Sequence, residues 1–154
     1  MLKYRNKKGI AEVLAQAAYD RLLEELSDLA AFENFNNPIL IPIPLYKKRL
    51  KKRGYNQAEL LAKEIVKRGN DVFTLTTKVL YKVKDTKSQV EIRDKKERLK
   101  NLHGAFAVKN PETIHGRNII LVDDVTTTGT TLNEAKKVLE KSGARKVIAI
   151  TIAH

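Results

Sequence analysis

The chain has 154 residues and carries thirty Lys and Arg against eighteen Asp and Glu, a formal charge of +12. One domain spanning 1–154 is the expectation, because a chain of about 150 residues buries roughly 70% of its surface on folding, and the 42% apolar content rules out disorder and collagen-like structure. With no cysteine, disulfides, thiolate catalysis and Cys-ligated zinc are excluded. His103, His115 and His154 lack metal-ligand spacing. The longest apolar runs, Ile39 to Leu45 and Ile119 to Val122, fall short of the ~20 residues of a membrane span, and no signal-type segment is evident, so the expected location is the cytoplasm.

Charge is concentrated. Residues 47–100 hold eighteen of the thirty basic and seven of the eighteen acidic side chains, a local balance of +11. Such a segment attracts nucleic acid, anionic lipid or phosphorylated small molecules, and charge alone does not choose among them or exclude a role in solubility only.

From about Lys8 to Phe32, Ile10, Val13, Leu14, Ala17, Ala18, Leu22, Leu26 and Leu29 recur at helical spacing and predict an N-terminal packing helix within 1–35. Asn36-Asn37-Pro38 breaks it. Pro38 to Pro44 then reads as the first buried strand, proline being tolerated at strand ends. After a basic loop, Asn56 and Glu59 form a capping-box pattern for a helix over 57–68, with Ala58, Leu61, Ala62, Ile65 and Val66 as its stripe. Residues 72–83 are rich in strand formers. Residues 84–101 are dense in charge and predict a flexible loop, partly helical. Gly104 to Val108 reads as a short strand, Ile119 to Val122 as a buried one, 130–141 as a helix and 147–152 as a final strand. The alternation predicts an α/β fold, a mostly parallel sheet flanked by helices.

The sharpest feature is the run from Ile120 to Thr131, passing from a strand's carboxyl end to a helix's amino end, the edge where open α/β sheets bind ligands. Thr127, Thr128, Gly129, Thr130 and Thr131 offer hydroxyls and backbone N–H groups around a glycine, a cradle for a monoester phosphate. Asp123 and Asp124 just before it suit sugar hydroxyls and hydrated Mg²⁺. Together they point to a phosphorylated sugar. A threonine-capped helix with two solvated aspartates is the structural alternative. A Walker loop fits less well because no lysine follows the glycine, and a phosphate-accepting receiver would distribute its acids over several strands.

The string Val122-Asp123-Asp124-Val125-Thr126-Thr127-Thr128-Gly129-Thr130-Thr131 resembles the phosphoribosyl pyrophosphate (PRPP) motif of type I phosphoribosyltransferases. Pro42 to Leu45, Arg53-Gly54-Tyr55-Asn56-Gln57, Asp85 to Gln89, Arg98 to Asn101 and Gly104 to Phe106 resemble the ComF family of competence proteins. The resemblance covers nearly the whole chain. It implies a type I phosphoribosyltransferase-like fold with a small flexible hood or lid, and Mg²⁺-dependent transfer from PRPP to an unidentified nitrogen nucleophile. Asp123 and Asp124 would hold the ribose hydroxyls and Mg²⁺, and Thr127 to Thr131 the 5′-phosphate. Lys47, Lys48, Arg49, Lys51, Lys52 and Arg53 stand where the superfamily binds pyrophosphate, and Lys87, Gln89, Arg93 and Arg98 would be lid contacts.

ComF proteins commonly begin with a four-cysteine zinc module. This sequence has no cysteine, so no zinc is expected. Thr127 stands where purine-salvage members acting on 6-oxo substrates carry an acid, which disfavours proton abstraction from such a purine. The resemblance also carries a second reading, a module for DNA uptake that engages single-stranded DNA and a competence helicase. A third is a sensor that binds PRPP without turning it over.

Overall fold

The computed structural model describes residues 2–86, 94–125 and 129–153. In chain order its elements are α1 (Leu2–Glu33), β1 (Ile39–Pro42), α2 (Lys47–Arg53), α3 (Gln57–Arg68), β2 (Thr74–Leu75), β3 (Leu80–Lys82), α4 (Lys95–Leu102), β4 (Phe106–Val108), a 3₁₀ turn at Pro111–Thr113, β5 (Asn118–Val125), α5 (Thr130–Lys141) and β6 (Lys146–Ala153). Four strands form a parallel sheet in the order β2-β1-β5-β6, and β3 and β4 form a separate antiparallel pair. The fold is α/β, as the alternation predicted. No helix among the described residues is long and apolar enough to cross a membrane.

The sheet's centre is buried on both faces, which is why β1 and β5 read as unbroken apolar runs. Side chains alternate across the pleat. Ile39, Ile41, Ile119 and Leu121 join Leu132, Ala135 and Leu139 of α5 and Leu80 and Phe106 of the β3–β4 pair in one core. Leu40, Ile120 and Val122 join Ala15, Leu22 and Leu26 of α1 and Leu61, Ala62 and Ile65 of α3 in the other. The antiparallel pair β3–β4, here termed the hood pair because it brackets the expected lid segment, thus belongs to the α5 side of the sheet.

Several expectations are corrected. The helix at the N-terminus is real, but its buried stripe runs through Ala11, Ala15, Leu22 and Leu26, whereas Ile10 and Val13 are 55% and 73% exposed and Ala17 is exposed too. Alanines let α1 lie close to α3, so the larger apolar residues beside them turn outward. The basic stretch 47–53 is the helix α2, not a loop. Its helix-favouring Lys and Arg side chains end at Gly54, whose left-handed φ of 86° lets its N–H close on the Leu50 carbonyl. Residues 72–83 divide into β2 and β3, which belong to different sheets. The expected helical part of 84–101 is α4, which holds residues 95–101 and is opened by Asp94, whose carboxylate accepts from the Lys96 N–H at 3.0 Å.

At the amino edge of the sheet one arginine closes the end of α1. Arg145 donates to the carbonyls of Glu33 at 2.9 Å and Asn34 at 3.0 Å and to Asn118 Oδ1 at 2.8 Å. The buried Asn118 in turn donates to the Asn36 carbonyl at 3.0 Å. These bonds satisfy carbonyls that a helix end leaves without internal partners. Arg145→Ala is expected to destabilise the chain by about 1–3 kcal/mol, read as a lower urea midpoint with unchanged m-value. A midpoint equal to that of the unaltered chain would show that the clamp is dispensable.

Candidate functional site

Register places the acids. β1 pairs with β5 from Ile39 opposite Ile119 to Pro42 opposite Val122 and then leaves the ladder, the Ile43 N–H donating to the Val122 carbonyl at 2.8 Å. β5 runs on to Val125, with Asp123 beside Thr151 of β6. Asp123 and Asp124 therefore stand at the carboxyl lip, just beyond four fully buried apolar residues. By the same alternation Asp123 follows Ile119 and Leu121 onto the hood side of the sheet.

There Asp123 comes within electrostatic reach of Lys82, at the end of β3. Leu80 and Lys82 share one face of that strand, so burying Leu80 in the core turns Lys82 toward the sheet. Burial first, and the Arg49 guanidinium second, lower the Lys82 pKa below its ordinary value, while Asp85 and Asp123 pull it back up. Arg49 pairs with Asp85 at 3.4 Å and donates through Nη2 to the carbonyl of the buried Thr86. Charges alternate along Arg49, Asp85, Lys82 and Asp123. Lys82 was not among the expected site residues. Its one signal in the sequence is its place two residues after a core leucine.

Burial raises the Asp123 pKa from 3.8 to about 7, reinforced by a side-chain hydrogen bond and the negative charge of Asp124. The Asp124 N–H, which donates to Asp123 Oδ1 at 2.9 Å, and the Lys82 charge oppose the rise. Asp123 therefore stands near the midpoint of its titration at neutral pH, and a cation beside it would favour its charged form.

Of the expected phosphate cradle, Thr127 and Thr128 lie outside the described residues. Gly129 adopts a left-handed φ of 73° immediately before α5, with open space where a Cβ would point, and Thr130 is buried in the first turn. Of the expected pyrophosphate residues, Lys47, Lys48, Lys51, Lys52 and Arg53 are exposed on α2, whereas Arg49 is half-buried and held by Asp85 and Thr86. Asn56 fixes this segment. Its Nδ2 donates to the Ile43 carbonyl at 3.0 Å and its Oδ1 accepts from the Ala58 N–H at 3.0 Å. Glu59, the other half of the expected capping box, pairs with Lys63 at 2.9 Å. Of the expected lid contacts, Lys87, Gln89 and Arg93 lie outside the described residues and Arg98 is on α4, half-buried.

Asp123 gives stability a defined pH dependence. Its folded pKa exceeds its unfolded one, so between pH 3.8 and about 7 the folded chain keeps a proton the unfolded chain has released, and stability falls as pH rises through that window. Asp123→Asn is expected to flatten the decline and to raise Tm at pH 8 by several degrees, corresponding to roughly 1–3 kcal/mol after solvent screening. Melting curves at pH 5 and pH 8 check this. Equal pH dependence in both proteins would overturn the assignment.

Residues 11–154 match the family model of the phosphoribosyl transferase domain. The chain is 40% identical over 148 residues to Competence protein F of Haemophilus influenzae, covering 94% of this chain and 61% of that protein. It is 37% identical over 115 residues to Competence protein ComFC of Bacillus subtilis, covering 74% and 43%, and 31% identical over 147 residues to the DNA utilization protein YhgH of Escherichia coli K12, covering 95% and 61%. It thus spans about three fifths or less of the length of these relatives. Among solved structures, a hypoxanthine phosphoribosyltransferase of Trypanosoma cruzi in complex with the product IMP superposes with a TM-score of 0.52 at 12% identity, covering 94% of this chain and 64% of that one, a likeness of fold. With its parallel sheet, its β3–β4 pair and its acidic lip in a type I phosphoribosyltransferase fold, the chain belongs to the phosphoribosyl transferase domain family and is similar to the competence proteins F and ComFC.

Proposed function

We propose that the chain binds PRPP with Mg²⁺ at the carboxyl end of β5 and transfers its phosphoribosyl group to a nitrogen nucleophile. The observation that carries this reading is the pairing of Asp123 and Asp124 at the lip with the left-handed Gly129 that opens α5. Carboxylates there accept hydrogen bonds from ribose hydroxyls, and the N-terminal dipole of α5 favours the 5′-phosphate. In the transfer a nitrogen lone pair forms a bond to the ribose C1. The C1–O bond breaks, pyrophosphate leaves with the electron pair, and the nucleophile sheds a proton.

The residues suit Mg²⁺. Among the described residues no group of three His, Cys, Asp or Glu gathers into a metal site, but Mg²⁺ needs only one or two carboxylates and takes its remaining oxygens from water and ligand phosphates. The raised pKa of Asp123 marks a site where a cation would relieve the crowding of two carboxylates. When bound, Mg²⁺ would supply charge neutralisation to the departing pyrophosphate. The cations of α2 add to that field from the protein.

Calorimetry with PRPP tests the reading without knowledge of the acceptor. Saturable binding that needs Mg²⁺, abolished by Asp123→Ala with Asp124→Ala in a folded protein, is expected. Affinity unchanged in the double variant would remove the site, and no binding by the unaltered chain would remove the function.

A second reading rests on α2, which has no buried residue and offers five cations to solvent. That surface suits the backbone of single-stranded DNA, in keeping with relatives named for competence and DNA utilization. Lys51→Glu with Lys52→Glu is expected to weaken binding of a fluorescent oligonucleotide and to reduce the slope of log affinity against log salt by about 0.7 for each phosphate that is no longer neutralised. An unchanged slope with unchanged affinity excludes α2 as that surface.

A further inference from the structure

We propose that Asp85 competes with an incoming pyrophosphoryl group for the cations Arg49 and Lys82, and so sets the affinity of the site for that group. The proposal rests on the reading of the α2 side of the lip as the place of pyrophosphate. What carries it is the convergence of three segments on one carboxylate. Arg49 comes from α2, Lys82 from the end of β3, and Asp85 from the residues just after that strand. The Arg49 Nε stands 3.4 Å from Asp85 Oδ1. Asp85 also acts on Lys82, whose pKa burial and the Arg49 charge lower and Asp85 and Asp123 raise again. One carboxylate thus serves two cations, as a phosphate oxygen would.

These charges stand apart from the rest of the α2 field. Lys47, Lys48, Lys51, Lys52 and Arg53 are exposed, and among the described residues Arg49 is the one cation of α2 with an acid partner. Lys82 is placed from the other side of the site. It lies opposite the buried Phe106 in the β3–β4 ladder, and the strand face that puts Leu80 in the core turns Lys82 toward the sheet. The two cations therefore approach Asp85 from separate elements, each fixed by its own packing or bonding.

The two contacts of Arg49 differ in permanence. Thr86 is buried, and its carbonyl accepts from the Arg49 Nη2. A buried carbonyl left without a donor is costly, so this bond anchors the guanidinium. The Arg49 and Asp85 side chains are 42% and 45% exposed, and a pair so open to water contributes little and is screened by salt. Asp85 can therefore turn into solvent while Arg49 stays in place on Thr86. Charge decides which anion prevails. Asp85 brings a single negative charge, whereas a pyrophosphoryl group brings several and makes the stronger charge-assisted bonds to arginine and lysine. The same competition returns Asp85 to Arg49 as pyrophosphate leaves, so affinity for the leaving group is traded for its release.

The test is calorimetric titration of the full chain with sodium pyrophosphate in the absence of Mg²⁺. Asp85→Asn keeps the shape of the side chain and removes its charge, and it is expected to bind pyrophosphate about fivefold more tightly than the unaltered chain. Asp71→Asn makes the same change in net charge at an exposed acid ahead of β2, on the amino edge of the sheet, and is expected to leave the affinity within about twofold. In an Arg49→Gln background most of the gain from Asp85→Asn is expected to disappear. An Asp85→Asn protein that binds pyrophosphate no more tightly would show that Asp85 positions Arg49 instead of opposing the anion. An equal gain from Asp71→Asn would reduce the effect to net charge, and absence of pyrophosphate binding in every protein would leave no competition; each of these overturns the proposal. PRPP titrated in parallel with Mg²⁺ separates the two readings. PRPP binding by the unaltered chain, with pyrophosphate affinity unchanged in Asp85→Asn, removes the competition alone. Pyrophosphate binding in the expected pattern without PRPP binding removes the transfer and leaves the competition in place.

Discussion

The two-sided burial of β5 is the constraint on which the rest depends. Ile119, Ile120, Leu121 and Val122 are all fully buried, in alternation into two cores. A strand whose two faces both meet packed neighbours has little freedom in register, because a one-residue slip would exchange every side chain between cores built for different partners. The first polar residue after such a run is fixed in height and in face. Asp123 thus comes to the lip where β1 has ended, on the side occupied by the hood pair, without any interaction of its own needing to place it. The position of the acid follows from the packing of four aliphatic residues.

Legibility in the sequence followed the same division. α3, α5 and β5 were readable because their apolar periods are strong and their ends are marked locally, by Asn56 and Gly69 for α3 and by Gly129 and Ser142 for α5. α2 was not, since Lys-Lys-Arg-Leu-Lys-Lys-Arg contains no apolar period and its helix rests on a capping glycine and on the tie from Asn56 to the Ile43 carbonyl. In α1 the stripe through Leu14, Ala18, Leu22, Leu26 and Leu29 was legible, but its first turns were misread at Ile10 and Val13 for a related reason. Ile10 and Val13 outweigh Ala11 and Ala15 in hydrophobicity, but close helix packing selects the small side chains. The acidic pair was legible as a motif. Its electrostatic coupling to Lys82, forty-one positions away in the chain, was not, because proximity between two sheets has no signature in local spacing.

Lys82 changes how the charge of the 47–100 segment is understood. The segment is strongly basic, yet its cations do not form one uniform field. Arg49 is committed to Asp85 and the Thr86 carbonyl, and Lys82 feels the charges of both Asp85 and Asp123. These internal partners hold two cations at the lip at little cost in mutual repulsion, while Lys47, Lys48, Lys51, Lys52 and Arg53 remain at the surface. The site therefore has an inner set of mixed charge and an outer set open to an incoming anion. A pool of exposed lysines attracts polyanions broadly. The inner set is placed by its own pairing at Arg49 and Asp85 and by burial at Lys82 and Asp123.

The same strand arrangement joins the lip to the edge of the sheet. Among the described residues β6 is the one strand between Asp123 and the outer margin, and its Thr151 lies directly opposite Asp123 while Ala149 to Thr151 border a crease against α1. Edge strands fray more readily than central ones, since half of their backbone groups look to water and local opening needs few interactions to break. An acid whose neighbouring strand frays has an ill-defined distance to its ligands, and a displacement of about an ångström is enough to spoil catalytic geometry. Covering the outer side of β6 would hold Thr151, and with it the ladder beside Asp123, to one conformation. Precision at the lip therefore depends on what lies against an edge one strand away, although the outer side of that edge faces away from the acids.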